Sequence, residues 1–172
     1  MSAKDEPAVV VVSWNPQWPA LARAETSRLA EVAHAVEHVG STAVPGLPAV
    51  PVLDIAVGVD SMADRGEDVA NAIESLGYER IADGEGFIRL VRRGDRPVEV
   101  HVMEAGGELW KEAVAFRDYL RAHPDEASAY ARAKRRAAEG GPTRDVYQER
   151  KRPTLETLMR RARSWKVSHP HG

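Results

Sequence analysis

The sequence contains no cysteine, which excludes disulfide bonds, thiolate nucleophiles and cysteine-ligated zinc sites. It also lacks a long apolar run, since no stretch approaches the roughly 20 residues that a membrane-spanning helix needs. The opening residues MSAKDEP show neither the basic nor the apolar region of a secretory signal peptide. We therefore expect no membrane partner and take a cytoplasmic location as the default.

Length and composition indicate one ordinary globular domain. The 172 residues are 43% hydrophobic and 29% charged, which allows a sizeable core. We expect a single domain over residues 1–166 and a disordered tail over residues 167–172. A monomer and a homodimer both remain open.

Charge is unevenly distributed along the chain. Residues 1–86 contain 5 Lys or Arg and 14 Asp or Glu, a net charge of −9, whereas residues 87–172 contain 19 and 12, a net charge of +7. Such a basic half is typical of solvated helix faces that pair with the acidic half, of a site for a small anion, or of a nucleic-acid site. Because basic residues are not interleaved with exposed aromatic ones, nucleic acid is the least favoured partner.

The most informative stretch is VEHVGSTAVPGLPAVPVLDIAVGV, residues 36–59. The turn Gly40-Ser41-Thr42 combines small residues with two hydroxyls, and the prolines after it exclude a helix. Asp54 then lies within an apolar run, where an unpaired carboxylate would be costly to bury. We expect the turn amides and hydroxyls to hold a phosphate, and Asp54 to hold a metal or a proton. We expect His38 either to reach the phosphate or to fix the turn by a local hydrogen bond.

Residue periodicity predicts both strands and helices. Strands are expected at 9–12, 52–59, 78–82, 87–92 and 97–103. Helices are expected from the turn at 14–19 to about residue 35, then at about 60–76, 109–120, 127–138 and 143–151, and from Pro153 onward. This order predicts an α+β fold: a short mixed sheet with helices packed on it and a helical C-terminal subdomain.

The last predicted strand carries polar groups on one face. Its valines alternate with residues that include Glu99 and His101, so one face is apolar and the other bears a carboxylate and an imidazole. In a mixed sheet both can converge on Asp54, and Arg89 of the adjacent strand can point the same way. We therefore expect Asp54, Glu99 and His101 to be catalytic. The alternative for Glu99 is a structural ion pair with Arg89 or Arg117.

An ordered set of motifs resembles a known family. A Gly-Ser turn followed by an aspartate on a strand is similar to the signature of the nucleotidyltransferase superfamily. The fuller string EHVGSTAVPGL…P…DI.VGV, with GYE, VEVHVME and FRDYLRAHP further on, resembles the GrpB family, which is also found fused behind dephospho-CoA kinases. The resemblance ends around Lys151. It implies a nucleotidyltransferase-like fold, a nucleotide or other phosphorylated ligand, and a phosphate contact from Lys151 near Tyr147.

Three positions depart from what the resemblance implies. The superfamily binds two divalent metals with two carboxylates on one strand and a third on its neighbour, but the second position here is Ala56. Val50 stands where the family usually has lysine, and Glu99 stands where it usually has histidine. The resemblance therefore implies at most one weakly held Mg²⁺ on Asp54 and Glu99, with a nucleoside triphosphate as co-substrate.

Three functions remain open. The first is nucleotidyl transfer, or adenylation of a small-molecule acceptor, with Ser41 on the phosphate and His101 as base. The second is a metal-independent acid/base enzyme, such as a cyclase, isomerase or lyase, that uses Glu99 and His101 on a small polar metabolite. The third is a non-catalytic ligand-binding or interaction module.

Overall fold

A five-stranded mixed sheet forms the centre of the molecule, and the computed structural model describes residues 8–169. The strands within these residues are β1 (Ala35–Val39), β2 (Leu53–Val59), β3 (Glu79–Gly84), β4 (Phe87–Arg92) and β5 (Val98–Glu104). The helices are α1 (Trp18–Leu29), α2 (Glu67–Ser75), α3 (Glu108–Ala122), α4 (Pro124–Ala137) and α5 (Arg144–Ser168). A one-turn helical segment at Ser41–Ala43 follows β1, and another at Met62–Gly66 precedes α2. The predicted α+β class is confirmed.

The strand order is β1-β2-β5-β4-β3. At its centre β2 and β5 run parallel, while β1 and β4 flank them in antiparallel orientation. The register places Asp54 beside Glu99, and His101 beside both Ala56 and Arg89. Residues paired across a sheet point to the same face, so the sheet itself brings these polar side chains together.

The two faces of the sheet have different coverings. Alternate apolar residues of β2 and β5, such as Ile55 and Val100, are completely buried against α1 and α2. The other face carries Asp54, Glu99 and His101, and α3 packs on part of it through Trp110. Helices α3, α4 and α5 form a second apolar cluster with the loop after the Gly-Ser turn, which is the predicted helical C-terminal subdomain.

Two predictions near the start of the chain are wrong. Residues 9–12 do not form a strand of the sheet: Val12 makes a single bridge with Ala49. The first helix ends at Leu29 rather than near residue 35, and residues 35–39 form β1. The extended backbone of β1 pairs with β2, and this long-range hydrogen bonding overrides the local helical periodicity.

The last helix also differs from the prediction. Helix α5 is continuous from Arg144 to Ser168, with Pro153 inside it, where the sequence predicts a break or kink. The proline removes one helical hydrogen bond, but Leu158 and Ala162 beyond it are buried in the helical cluster and hold the helix together. Val167 and Ser168 of the predicted tail are therefore helical, and residues 170–172 lie outside the described part. Among residues 8–169, no helix is both long and apolar enough to cross a bilayer.

Candidate functional site

The Gly-Ser turn packs directly against Asp54. Gly40 has φ of 70° and ψ of −168°, a backbone conformation that is essentially restricted to glycine. A Cβ atom built on Gly40 would lie 2.5 Å from Oδ2 of Asp54. The glycine therefore allows the end of β1 to approach the carboxylate at the start of β2.

Asp54, His101 and Glu99 converge as the sequence predicts. His101 Nε2 lies 3.3 Å from Asp54 Oδ1 and 3.9 Å from Glu99 Oε1. One donor atom from each of the three side chains lies within 4.8 Å of the others. The convergence follows from adjacent positions on β2 and β5 rather than from any loop.

Glu99 is held by two arginines. Its side chain is 2% exposed, and Arg89 donates from Nε to Oε1 at 2.8 Å, with Nη2 2.6 Å from the same oxygen. Arg144 binds the other oxygen, Oε2. The structural ion pair with Arg89 is thus present, whereas Arg117 instead binds Glu37 and Asp118.

This donor set does not fit a pair of divalent metals. Both oxygens of Glu99 already accept hydrogen bonds from guanidinium groups, and Ala56 is fully buried where a second carboxylate would lie on β2. Mg²⁺ prefers oxygen ligands, and the third group, His101, offers nitrogen. Asp54 is the one carboxylate of this cluster that remains for an ion, and such an ion would be held jointly with ligand phosphates.

The site opens into a cleft of about 1120 Å³ between the sheet and the C-terminal helices. Its lining includes Ser41, Asp54, Arg89, Glu99, His101, Tyr147 and Lys151 from the sequence prediction. Its other charged lining residues are Glu79, Arg93, Lys134 and Arg144. The cleft therefore has five Lys or Arg side chains and three carboxylates.

Lys134 and Arg144 are the site residues that the sequence reasoning missed. Lys134 is 1% exposed, and its Nζ has no hydrogen-bond partner among residues 8–169. The sequence offers one indication of Lys134: it follows Tyr130 and Ala131 at helical spacing on the buried stripe of α4. An apolar residue is normal at such a position, so a lysine there is unusual. Burial and the neighbouring Lys151 lower the pKa of Lys134 to about 7, while Asp54 acts in the opposite direction.

Lys151 and Tyr147 lie together on α5, one helical turn apart. Lys151 Nζ is 5.0 Å from the centroid of the Tyr147 ring, which is a cation–π distance. Burial lowers the pKa of Lys151, and Asp54 opposes that shift. The helical subdomain therefore presents two ammonium groups, those of Lys134 and Lys151, to the side of the cleft that faces Asp54.

His38 and Thr42 do not line the cleft. Thr42 is buried, and its hydroxyl lies 2.8 Å from His38 Nε2. Burial lowers the pKa of His38 to about 4, so the imidazole is neutral near pH 7. The local hydrogen bond that fixes the turn is thus present, and the phosphate contacts expected of His38 and Thr42 stay predictions for residues outside the lining of this cleft. Gly40 likewise contacts Asp54 rather than the cleft.

Known proteins match this chain along most of its length. The family model described as GrpB protein matches residues 8–161. A UPF0157 protein of Halalkalibacterium halodurans is 36% identical over 163 residues, covering 90% of this chain and 83% of that protein. A dephospho-CoA kinase of Mycolicibacterium paratuberculosis is 31% identical over 192 residues, covering 91% of this chain but 46% of the kinase.

The crystal structure of the conserved protein GrpB from Enterococcus faecalis has the same fold. It superposes with a TM-score of 0.80 at 26% identity, covering 91% of this chain and 99% of that one. Since the family model matches most of the residues and the structure agrees, the chain belongs to the GrpB family.

Proposed function

We propose that this GrpB-family chain is an enzyme that binds a nucleotide or another phosphorylated small molecule and acts on it through Asp54 and His101. The observation that carries the proposal is the contact of 3.3 Å between His101 Nε2 and Asp54 Oδ1 in a cleft whose charged lining residues are mainly cations. The contact supplies a proton-transfer group, and the cations supply attraction for an anionic ligand.

The charge of the cleft supports an anionic ligand. Its five Lys or Arg side chains exceed its three carboxylates by two. Clefts lined by one sign of charge concentrate ligands of the opposite sign. The volume of about 1120 Å³ is ample for a nucleotide-sized molecule.

The Asp54–His101 pair supports acid/base chemistry. An imidazole can accept or donate a proton near neutral pH, and a carboxylate on one ring nitrogen fixes its orientation and stabilises its protonated form. Glu99 would act through position and charge, because its oxygens are occupied by Arg89 and Arg144. His101 is thus the group that we assign to the reacting proton, with Asp54 as its partner.

Two reaction classes fit this arrangement. Nucleotidyl transfer or adenylation of an acceptor would use a nucleoside triphosphate, with Asp54 holding an Mg²⁺ ion that neutralises phosphate charge. A metal-independent isomerase, cyclase or lyase would use the Asp54–His101 pair alone. The double ion pair of Glu99 favours the second class, because it removes a carboxylate that a metal site would need.

A thermal-shift screen tests ligand and metal together. Purified protein would be melted with ATP, CTP, GTP, UTP, coenzyme A precursors and sugar phosphates, each with Mg²⁺ or with EDTA. A ligand at 100 times its Kd adds about 2.7 kcal/mol, which raises the melting temperature by several degrees. A shift that persists in EDTA supports the metal-independent class, and one that requires Mg²⁺ supports nucleotidyl transfer.

Turnover of the ligand found in this way tests the role of His101. We expect His101→Gln to lower kcat by about 10²- to 10⁴-fold with little change in ligand affinity. His34→Gln is the matched control, since His34 is exposed and outside the cleft, and its ion-pair partner among residues 8–169 is the exposed Asp60. Unchanged kcat in His101→Gln would refute the assignment, and a ligand that binds without conversion would indicate a non-catalytic module.

A further inference from the structure

Lys134 is a buried amine without a hydrogen-bond acceptor in the described part of the chain. Its ammonium carries three donors, and no hydrogen-bond partner for Nζ exists among residues 8–169. Its Nζ lies 4.9 Å from the centroid of the Tyr130 ring. A buried charge normally has a partner that offsets its desolvation, so an exception at the wall of a cleft points to a ligand.

The groups around Lys134 come from three elements. Lys151 and Tyr147 approach from α5, Asp54 approaches from β2, and Ser41 lies near Tyr130 in the turn after β1. Asp54 attracts Lys134 but does not form an ion pair with it within 4 Å. Two ammonium groups with one carboxylate therefore face each other across the inner end of the cleft.

The charges nearby define the kind of anion that fits. Glu99 is already balanced by Arg89, and Arg144 adds a second guanidinium to it. With Lys134 in its protonated form, and with Lys151 and Asp54 included, this inner region has a net charge of +2, and a bound anion favours that form. A dianion would neutralise it, whereas a neutral metabolite would leave the Lys134 ammonium without an anionic partner.

We propose that Lys134 and Lys151 form the phosphate-binding subsite of the cleft, where they take a phosphate dianion or diphosphate next to Asp54. The inference rests on the proposed function for the reaction, but it assigns the ligand's anionic group to α4 and α5 rather than to the amides of the Gly-Ser turn. The flexible stem of a lysine lets its ammonium turn toward a bound anion. A phosphate has oxygens on all sides and can accept from the ammonium groups on α4 and α5 and from the Ser41 hydroxyl at once.

Calorimetric titration with pyrophosphate and inorganic phosphate at low ionic strength tests the subsite directly. The variants are Lys134→Met and Lys151→Gln. The control is Arg152→Gln, which removes the same positive charge from an exposed residue next to Lys151. We expect Lys134→Met and Lys151→Gln to weaken pyrophosphate binding at least tenfold. Arg152→Gln should stay within about twofold of the wild type, because exposed charges contribute little.

The melting temperature without ligand separates binding from folding. Lys134→Met removes an unpaired buried charge while keeping an apolar stem, so it should melt at or above the wild-type temperature. A fall in melting temperature together with lost binding would assign Lys134 a structural role and overturn the subsite.

Other outcomes are equally decisive. Wild-type affinity in both lysine variants would place the phosphate elsewhere in the cleft and overturn the subsite, while the proposed function would stand on its own His101→Gln test. Malonate binding as tightly as pyrophosphate would identify a carboxylate site instead. No binding of any phosphate compound to the wild type would overturn the subsite and the phosphorylated ligand together.

Discussion

Glu99, which the sequence predicts to be catalytic, has ion-pair partners that no local pattern reveals. Its alternation with valines predicts a polar face toward Asp54, and the structure agrees. Its partners, however, are Arg89 and Arg144, which lie ten and 45 residues away along the chain. A carboxylate with both oxygens bonded to guanidinium groups stabilises the fold and shapes the local charge.

This pairing predicts the effect of a single substitution. Glu99→Gln should lower the free energy of unfolding by about 1–3 kcal/mol, because hydrogen bonds to a buried charged group are lost. Glu79→Gln is the matched control in the same cleft, since Glu79 is 65% exposed and its pair with Arg93 is also exposed. That variant should change stability by less than about 1 kcal/mol. Equal effects in a urea titration would show that the Glu99 ion pairs contribute no more than surface pairs.

At the scale of elements, the turn after β1 depends on one glycine. Gly40 combines a positive φ with a close approach to Asp54, so the turn and the carboxylate cannot be changed independently. The close approach of Gly40 to Asp54 therefore fixes the short segment Ser41–Ala43 relative to strand β2. This contact fixes where Asp54 points relative to His101.

Gly40→Ala should disturb both stability and the site. The added Cβ requires a strained backbone and displacement of Asp54, which together should cost about 1–3 kcal/mol or more. Gly46→Ala is the control, because Gly46 also has a positive φ, 79°, but nothing lies within 4 Å of its Cβ position. Chemical denaturation and ligand turnover should both show a larger loss for Gly40→Ala. Similar losses in turnover for the two variants would contradict a direct effect on Asp54.

At the scale of the whole molecule, the uneven charge has two uses. Some ion pairs join the acidic first half to the basic second half, such as Glu37 with Arg117 and Glu25 with Arg92. Other basic residues of the second half collect around Asp54 in the cleft. The overall charge of −2 therefore conceals a positive site.

The stability of the whole molecule should fall as the pH decreases from about 6.5 to about 4. Burial lowers the pKa of His38 to about 4; Asp54 opposes this shift, and the charges of Arg121 and Arg117 add to it. In the unfolded chain the pKa keeps its usual value near 6.5. Between these values the unfolded state binds a proton that the folded state does not, so stability is lost as the pH falls. At about 1.4 kcal/mol per pKa unit this difference in pKa corresponds to roughly 3 kcal/mol, and because the ring is partly exposed, solvent screening reduces the expected contribution of His38 to about 2 kcal/mol.

Comparison with His38→Gln isolates this contribution from that of the carboxylates, which also titrate in acid. The difference in melting temperature between the two proteins should change between pH 6.5 and pH 4 and stay constant above pH 7. A constant difference over the whole range would contradict the low pKa of His38.

The sequence by itself determined the local chemistry of the sheet. The alternation of valines with Glu99 and His101, and the apolar run around Asp54, predicted the faces of β5 and β2 and their convergence. These features were readable because strand periodicity depends only on neighbouring residues.

Tertiary structure decided what depends on contacts between distant residues. It formed β1 at Ala35–Val39, where the sequence predicted no strand, because β2 offers backbone hydrogen bonds that local propensity cannot register. It also paired Glu99 with Arg144 and left Lys134 buried beside the cleft. No local pattern fixes such outcomes, because the energy of a buried charge depends on which groups the rest of the fold places around it.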